Sequence, residues 1–389
     1  MADSSLELYS ITAPGLEQIT ATELGVFGAV AQTVSRGGVA WHGSLRDLYR
    51  ANLWLRTATR VLVRVSSFHA GSFAELERRA KQVPWGRFVR ARDHVRFRVT
   101  CHKSALYHSG AVAERLAESV SAATGCATAA TSVPDAAGDD PGAIAEQLFV
   151  VRIDHDSVTL SADSSGTLLH KRGYRQASAK APMRETLAAA MLLSSGWDPA
   201  QPLLDPMCGS GTIPIEAALI ARKIAPGLHR EFRFERWPGF DQSGWNSLRD
   251  EALAGILERA PSTIAAADRD AGAVAATKSN AERAGVGSDL QIVQQPLAAS
   301  EPGGPDAGWL ITNPPYGVRI GTDVRNLYAK LGSLMRTSFS DWRLGILTAS
   351  PVLERQLGIP LERVFEARNG GIPIRLMVGQ ATRDSGGGS

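Results

Sequence analysis

The residues best suited to chemistry stand in two short strings in the C-terminal half of the sequence. The first, Asp205–Thr212, reads DPMCGSGT and lies between a short apolar run and a segment whose apolar residues have helical spacing. That arrangement predicts a turn from a strand into a helix. Glycines in such a turn allow the backbone to approach a ligand beside the helix N-terminus, so the string can hold a cofactor. The same pattern is compatible with other nucleotide binders and with a turn that binds nothing.

The second string, Asn313–Tyr316, reads NPPY and follows the predicted strand Trp309–Thr312. Its two prolines fix the backbone and remove N–H donors, which leaves carbonyl groups free to accept. The Asn313 amide oxygen and the Pro314 carbonyl can then bind both hydrogens of a planar amino group, while Tyr316 stacks on the attached ring. This pattern favours methylation of an amine. The alternative interpretation is a Pro-Pro turn followed by a core tyrosine.

An acidic residue ends the strand predicted between the two strings. The small apolar run Thr263–Ala267 ends at Asp268, and a carboxylate in that position can accept both hydroxyls of a ribose. Dinucleotide-binding proteins use the same placement, but their pattern is G-x-G-x-x-G with an acid about twenty residues further on. This chain has only Gly209 and Gly211 in its turn, and Asp268 lies much further along. A nicotinamide cofactor is therefore the weaker alternative.

With these motifs, the chain resembles the class I S-adenosylmethionine-dependent RNA methyltransferases that carry an N-terminal THUMP domain. Within them it is most similar to bacterial guanine-N2 methyltransferases of large-subunit ribosomal RNA. Two of its strings, IAPGL at 224–228 and WPGF at 237–240, lie in an insertion that resembles this ribosomal branch more than the related tRNA enzymes. The resemblance covers nearly the whole chain and also rests on TAPGLE at 12–17, YRANLWLRTA at 49–58, YHSGAVAER at 107–115, KRGYR at 171–175, APMRETL at 181–187, IAPGL at 224–228 and WPGF at 237–240.

The resemblance implies S-adenosylmethionine as the cofactor and RNA as the partner, with ribosomal RNA ahead of tRNA. It implies a target base held by Asn313, Pro314, Pro315 and Tyr316. The chain departs from the family pattern after the third strand of the methyltransferase domain. Family members often carry an acid there, near the adenine amino group, whereas this chain reads VQQPL at 293–297. Gln295 is an acceptor that could substitute, and no residue is assigned there. The implied cofactor-binding residues are Asp205, Pro206, Cys208, Gly209, Gly211, Thr212 and Asp268.

Other functions remain compatible with the same strings. A methyltransferase that acts on adenine N6 or on a protein glutamine amide would grip its planar amino group in the same way. A non-catalytic RNA-binding or assembly factor is a further alternative, against which two intact site strings argue.

Basic residues are concentrated between positions 78 and 103, where Asp93 is the single acid and three aromatic residues are interleaved. Such a band can neutralise phosphates while its aromatic side chains pack or stack. The alternative is a solvated edge strand, in which alternating arginines discourage aggregation. A second basic cluster lies between positions 222 and 236, in the insertion. The predicted RNA-binding residues are those of the first band: Arg87, Arg90, Arg96, Arg98 and Lys103.

Composition restricts the remaining choices. The 389 residues carry a net charge of only +3 and three cysteines. No apolar stretch is long enough to span a bilayer and no signal peptide is recognisable, so we expect a cytoplasmic protein without a membrane partner. The cysteines are too scattered for a disulfide framework or a metal site. His102 and His108 have no neighbours at metal-ligand spacing, so no metal is expected.

The order of predicted elements gives the fold class. Strands and helices first form an α+β region and then alternate regularly, which signals a doubly wound parallel sheet. We therefore predict an α/β protein, with a Rossmann-like class I methyltransferase domain whose seven-stranded sheet is mostly parallel. An α+β ferredoxin-like/THUMP RNA-binding region precedes it. The predicted boundaries are 1–65 for the ferredoxin-like region, 66–174 for the THUMP domain and 175–389 for the methyltransferase domain.

Overall fold

The computed structural model describes residues 5–126, 146–175, 183–304, 307–315 and 322–381. Within these residues the strands form two sheets of seven strands each. The chain divides into two compact units, and the first of them includes a segment from the C-terminal half, His229–Glu251. The rest of the first unit is Met1–Thr12 and Thr20–Leu169, and the second unit consists of Ala13–Ile19, His170–Leu228 and Ala252–Ser389.

The first sheet has the order β2-β3-β1-β4-β7-β6-β5. Its strands pair antiparallel except for β5 and β6, which run parallel. The elements of this half are β1 Leu6–Thr12, α1 Glu17–Val26, β2 Ala31–Ser35, β3 Gly38–Gly43, α2 Leu45–Trp54, β4 Ala58–His69, α3 Phe73–Ala80, β5 His94–His102, α4 Ser109–Thr124, β6 Glu146–Asp154 and β7 Ser157–Asp163.

Most strands of this half fall where the alternation of the sequence predicts them, but one prediction is wrong. The sequence also predicts a closing strand at 168–171, but this segment forms a turn at 169–170 with irregular backbone on either side. Gly166 with a φ of 74° directs the chain away after β7. The Leu169 N–H donates to the Thr59 carbonyl of β4 at 2.9 Å.

The aromatic residues of the basic band belong to the core of the first unit. Trp85, Phe88 and Phe97 are at most 3% exposed. Phe97 stacks on Phe149 of β6 with ring centroids 5.6 Å apart, and Trp85 meets the same ring edge-on at 5.0 Å. These rings therefore pack, and none of them is available to stack on a nucleobase.

The inserted segment 229–251 is held in the first unit by a buried polar cluster. Arg233 is fully buried and donates to the Asp93 carboxylate at 2.9 Å and to the Gln147 amide oxygen at 3.1 Å. The Trp237 indole donates to the same Gln147 oxygen at 2.8 Å. Burial lowers the pKa of the Arg233 guanidinium, and the charge of Asp93 opposes that shift. Arg233, a cation of the second basic cluster, is therefore a structural residue.

We predict that Arg233→Ala lowers the free energy of unfolding by about 3–5 kcal/mol, because it leaves a largely buried carboxylate without its cation. Denaturant unfolding followed by Trp fluorescence measures the change. The matched control is Arg236→Ala, since Arg236 lies three residues away and is exposed; it should change stability by less than about 0.5 kcal/mol. Equal losses in the two variants would contradict a structural role specific to Arg233.

The second sheet has the order β10-β9-β8-β11-β12-β14-β13. Strands β10, β9, β8, β11 and β12 are parallel, and β14 joins β12 and β13 antiparallel. The remaining elements of the chain are α5 Glu185–Ser195, β8 Leu203–Asp205, α6 Thr212–Ala221, α7 Gln242–Ala254, β9 Ile264–Asp268, α8 Ala271–Arg283, β10 Leu290–Gln294, β11 Trp309–Thr312, α9 Thr322–Arg336, β12 Arg343–Thr348, α10 Pro351–Leu357, β13 Leu361–Asn369 and β14 Ile372–Gln380. Most of α7 belongs to the first unit.

This sheet confirms the predicted doubly wound, mostly parallel architecture, and its final strand β14 is antiparallel to both neighbours. Its central strands are apolar on both faces because helices cover them, as at Leu310 and Leu344, which are fully buried. The strand order reverses between β8 and β11, and a crevice opens at such a point beyond the carboxyl ends of the strands. Asp205, Asp268 and Asn313 all lie at those ends.

The predicted domain boundaries stay predictions. The boundary at 65/66 falls inside β4, which pairs with both β1 and β7. Residues 176–182, just after the boundary at 174/175, lie outside the described residues. Within the part of the chain that the structure describes, no helix is both long and apolar enough to cross a membrane.

Candidate active site

The turn between β8 and α6 has two glycines in the left-handed region of backbone conformation. Gly209 has a φ of 55° and Gly211 a φ of 84°, which L-residues with a Cβ adopt at a cost. At Gly211 a Cβ would also lie 2.7 Å from Cγ2 of Thr277. Any other residue at position 211 would therefore clash with Thr277 and change the backbone of the turn.

Asp205 is buried beneath this turn. Its Oδ1 accepts from the Thr312 hydroxyl at 2.7 Å and from the Met207 N–H at 3.2 Å. Burial raises the pKa of Asp205 to about 7, while the bond from Thr312 counteracts the shift. Asp205 is 1% exposed, so it positions the turn by joining the ends of β8 and β11.

Asp268 lies beside the turn, at the end of β9. One carboxylate oxygen accepts from the Gly209 N–H at 2.9 Å, and the other accepts from the Asp270 N–H at 3.0 Å. Each carboxylate oxygen has a further lone pair for a ligand. The cofactor turn and the acid predicted to hold the ribose are thus one hydrogen-bonded structure.

Helix α8 supports the same turn through two polar side chains that the sequence interpretation missed. The Thr277 hydroxyl donates to the Gly209 carbonyl and the Asn280 amide donates to the Ser210 carbonyl, both at 2.9 Å. Both residues are fully buried. Their spacing of three residues on one helix was the available signal, because polar pairs on an inward face need partners.

Cys208 and Thr212 lie inside the turn with little exposure. Burial raises the pKa of the Cys208 thiol to about 12, so the thiol stays protonated at neutral pH and is a packing group. The Thr212 hydroxyl accepts from the Arg175 guanidinium at 2.8 Å. Arg175 also donates to the Met183 carbonyl at 2.8 Å and lies 3.4 Å from Glu185. Arg175 thereby fixes the start of α6, a role that the sequence interpretation missed.

Asn313 follows β11 and presents an unused acceptor. Its Oδ1 is buried and has no hydrogen-bond partner among the residues that the structure describes. Buried acceptors are nearly always paired in folded proteins, so an orphaned one at a cavity indicates a ligand donor. Pro314 is buried and Pro315 is exposed beside it. Tyr316, predicted to stack on the target base, lies outside the described residues.

A cavity of about 430 Å³ brings these strand ends together. That volume is in the range of small-molecule and cofactor sites. The carboxylate of Asp268 and the amide of Asn313 line the same space. Helix α9 contributes one wall, which the sequence interpretation did not assign. The lining residues are Pro206, Met207, Asp268, Arg269, Pro296, Leu297, Ala298, Asn313, Pro315, Asp323, Val324, Leu327 and Lys330.

Gln295, the acceptor considered after the third strand, lines a different cavity. It lines a space of about 140 Å³ together with Gln291 and Val293, the alternate residues of β10. The next residues of the chain, Pro296 to Ala298, line the large cavity. Gln295 therefore does not take over the acceptor role in the large cavity.

The predicted RNA-binding band divides into exposed and paired cations. Arg87, Arg90 and Lys103 are exposed. Arg96 forms an ion pair with Glu146 at 2.6 Å and its side chain is only 16% exposed, and Arg98 is half-buried. The band is therefore not a continuous exposed surface, because Glu146 of the neighbouring strand β6 forms an ion pair with Arg96.

The second basic cluster is also largely structural. Arg230 donates to the carbonyls of Thr167 and Leu168 at 2.6 and 2.9 Å. Arg222 donates to the carbonyls of Leu257 and Gly285 at 2.9 and 3.0 Å. These side chains hold loops of the protein.

His102 has ligand-type neighbours that its sequence position does not indicate. The parallel register of β5 and β6 aligns it with Asp154, and Nδ1 of both His102 and His155 lies 2.9 Å from Oδ1 of Asp154. The ligand atoms of the three residues lie within 4.8 Å of one another. The Arg152 guanidinium lies 3.3 Å from the other Asp154 oxygen. The group is thus a hydrogen-bonded surface cluster, and the bonds from its histidines hold the pKa of Asp154 below its usual range.

The second sheet and its crevice define the class of the protein. This strand order is that of the class I methyltransferase fold. In that fold a glycine turn follows the first strand of the domain, here β8, and the polar groups of the site lie at the carboxyl ends of the strands. The chain belongs to the RMKL-like methyltransferase family, whose methyltransferase domain model matches residues 172–377. The model of the RlmL ferredoxin-like domain matches residues 7–62, which confirms the ferredoxin-like region. The THUMP assignment stays a prediction.

Two curated relatives match nearly the whole chain. Ribosomal RNA large subunit methyltransferase K/L of Syntrophotalea carbinolica is 35% identical over 96% of this chain and 53% of its own length. The chain thus spans about half the length of that relative. Putative RNA methyltransferase slr0064 of Synechocystis is 33% identical over 95% of this chain and 95% of its own length.

Two solved structures match over the same extent. A protein of Listeria monocytogenes, described as a predicted N6-adenine-specific DNA methylase, is 34% identical with a TM-score of 0.83 and covers 96% of both chains. SMU.472, described as a putative methyltransferase complexed with SAH, is 29% identical with a TM-score of 0.83 and covers 97% of this chain and 99% of its own. Both support the class I methyltransferase fold for the second unit.

Proposed function

We propose that this protein transfers a methyl group from S-adenosylmethionine to the exocyclic N2 amine of a guanine in RNA, and that the RNA is large-subunit ribosomal RNA rather than tRNA. The buried Oδ1 of Asn313, which has no hydrogen-bond partner among the described residues, carries this proposal. An acceptor without a donor fits a substrate that brings an N–H group. The name of the Syntrophotalea relative supports ribosomal RNA of the large subunit as the substrate.

The residues around the cavity fit S-adenosylmethionine. The carboxylate of Asp268 can accept the ribose hydroxyls, and the glycine turn lets backbone approach the ligand. Pro206 and Met207 line the space beside the end of β8. When bound, the cofactor supplies an electrophilic methyl group on a sulfonium centre.

The chain's own contribution to the transfer is orientation. Guanine N2 shares its lone pair with the ring and is a poor nucleophile until its amino group is held. Hydrogen bonds from that group to the Asn313 oxygen and the Pro314 carbonyl direct the lone pair toward the methyl group and favour in-line displacement. The proton leaves to water or to a backbone acceptor, and no covalent enzyme intermediate is required. Because base pairing hides this amine in a duplex, the target base is unpaired or flipped out.

The exposed cations of the band are proposed to contact RNA phosphates. Arg87→Gln should lower RNA affinity and reduce the slope of log affinity against log salt by about 0.7 for a lost single-strand contact. Filter binding across a salt series measures it. Arg96→Gln is the matched control, since Arg96 is already paired with Glu146, and its slope should stay at the wild-type value. Equal slopes for the Arg87 variant and the wild type would remove Arg87 from the interface.

The substrate assignment is tested in cells. RNA from a deletion strain is separated into ribosomal and tRNA fractions, digested and analysed by mass spectrometry for methylated nucleosides. We expect one N2-methylguanosine to disappear from large-subunit RNA and to return on complementation with the wild-type gene. Loss of the modification from tRNA, or loss of N6-methyladenosine, would replace the proposed substrate with one of the alternatives.

A further inference from the structure

The large cavity extends from the strand ends to a slot with apolar walls. Pro296, Leu297 and Ala298 form one wall after β10, and Val324 and Leu327 of α9 form the other. Leu297 belongs to the same hydrophobic cluster as α9, and Val324 and Leu327 pack against that cluster. Apolar side chains from two elements that belong to one hydrophobic cluster thus line the slot, and an apolar lining suits the faces of a flat ring.

A ring in this slot fits the position of the ribose site. Asp268 ends β9, and β10 is the next strand of the sheet, paired with β9 in parallel up to Gln294 beside Asp268. A nucleoside whose ribose is held at Asp268 therefore extends its base over the end of β10. Under the proposed function that base is the adenine of S-adenosylmethionine, whose edge carries an amino group that needs an acceptor.

The described lining residues offer few side-chain acceptors for that amino group. Arg269 and Lys330 have only donors in their side chains. Asp268 lies at the ribose position and Asn313 at the target amine. Asp323 supplies the remaining carboxylate of the lining.

The loop after β10 provides no carboxylate there. Gln294 donates its side-chain amide to the Arg269 carbonyl at 3.3 Å, and Gln295 lines the smaller cavity. Asp323 is in the first turn of α9, four residues before Leu327 and seven before Lys330. Residues at this spacing lie along one helical face, and all three line the cavity.

We propose that Asp323 accepts a hydrogen bond from the adenine amino group of the cofactor and thereby selects adenine over a 6-oxo purine. A carboxylate accepts from an amino group and repels a ring carbonyl, so it distinguishes the two bases by charge as well as by hydrogen bonding. The proposal rests on S-adenosylmethionine as the cofactor and assigns to α9 a specificity role in the site.

The test compares two ligands by calorimetry without RNA: S-adenosylhomocysteine and its analogue with hypoxanthine in place of adenine. The wild type should bind the adenine ligand at least about 10-fold more tightly, as expected for loss of one charge-assisted hydrogen bond. In Asp323→Asn, whose amide can donate to a ring carbonyl, this preference should disappear or reverse. The ratio of the two affinities does not depend on the fraction of folded protein, so a partly unfolded preparation still gives an answer.

Glu362→Gln is the matched control, because it removes the same charge from an exposed position on β13 in the same unit. It should keep the wild-type preference for adenine. A wild-type preference retained in Asp323→Asn would overturn the assignment of Asp323 and leave the proposed cofactor in place. Failure of the wild type to bind either ligand would instead overturn the proposed cofactor, and the Asp323 assignment with it.

Discussion

Replacing Asn313 with alanine should slow a single methyl transfer by about 10²–10³-fold, the usual cost of removing one group that acts mainly in the transition state. The buried Oδ1 has no partner among the described residues, so its acceptor capacity is available to a substrate amine. Cofactor affinity should stay close to the wild-type value, because Asp268 and the glycine turn hold the other ligand. Single-turnover transfer to unmodified ribosomal RNA and a cofactor titration on the same preparation measure both quantities.

Asn326→Ala provides the control for this variant. Asn326 is an exposed residue of α9 in the same unit, and its replacement should leave both quantities unchanged. Near-wild-type transfer by Asn313→Ala would refute the amino-gripping role and remove the main chemical support for the guanine-N2 assignment. A loss confined to cofactor binding would place Asn313 in the cofactor half of the site.

Asp268→Ala should weaken S-adenosylhomocysteine binding by about 10–100-fold, since a hydrogen bond to a charged group contributes about 1.5–3 kcal/mol. Two effects act in the same direction. The ribose hydroxyls lose their acceptor, and the Gly209 N–H loses the partner that holds the turn at 2.9 Å. Calorimetry measures the affinity.

Glu258→Ala serves as the comparison for Asp268→Ala, because Glu258 is an exposed acid of the second unit. It should bind the cofactor as the wild type does. If Asp268→Ala also kept the wild-type affinity, Asp268 would have no part in the cofactor site and the ribose would have to be held elsewhere.

The sequence predicts the strand ends well because they combine two local signals. Apolar runs that end on Asp205, Asp268 and Asn313 indicate buried parallel strands, and the polar residue marks where each strand leaves the sheet. Parallel strands must carry their chemistry at one edge. The convergence of three distant segments therefore follows from the topology.

Side-chain exposure is harder to predict, because it depends on partners distant in sequence. Arg96 looks like a phosphate ligand in the sequence, but Glu146 of β6 lies 2.6 Å from it and forms an ion pair. The sequence suggests that Arg233 is exposed because it lies in a basic insertion, but its guanidinium is buried and donates to Asp93 and Gln147. The positions of charges along the sequence do not reveal these ion pairs. The prediction that the whole basic band binds RNA is weaker for that reason.

The walls of the cavity were missed for a related reason. Asp323, Leu327 and Lys330 have the ordinary spacing of an amphipathic helix, and nothing local indicates that this face meets a ligand. Thr277 and Asn280 support the glycine turn from another helix. Both contributions arise from the packing of helices over the sheet, which the sequence pattern specifies only as a buried face.

The central claim is that the site methylates the N2 amine of guanine, and the product itself tests it most directly. Large-subunit ribosomal RNA from the deletion strain is incubated with the purified protein and S-adenosylmethionine carrying an isotopically labelled methyl group. The RNA is then digested to nucleosides and the label is located by mass spectrometry. The proposed function predicts label in N2-methylguanosine at one position, with none transferred by Asn313→Ala. Label in N6-methyladenosine, or none on RNA from an active, cofactor-binding preparation, would contradict it.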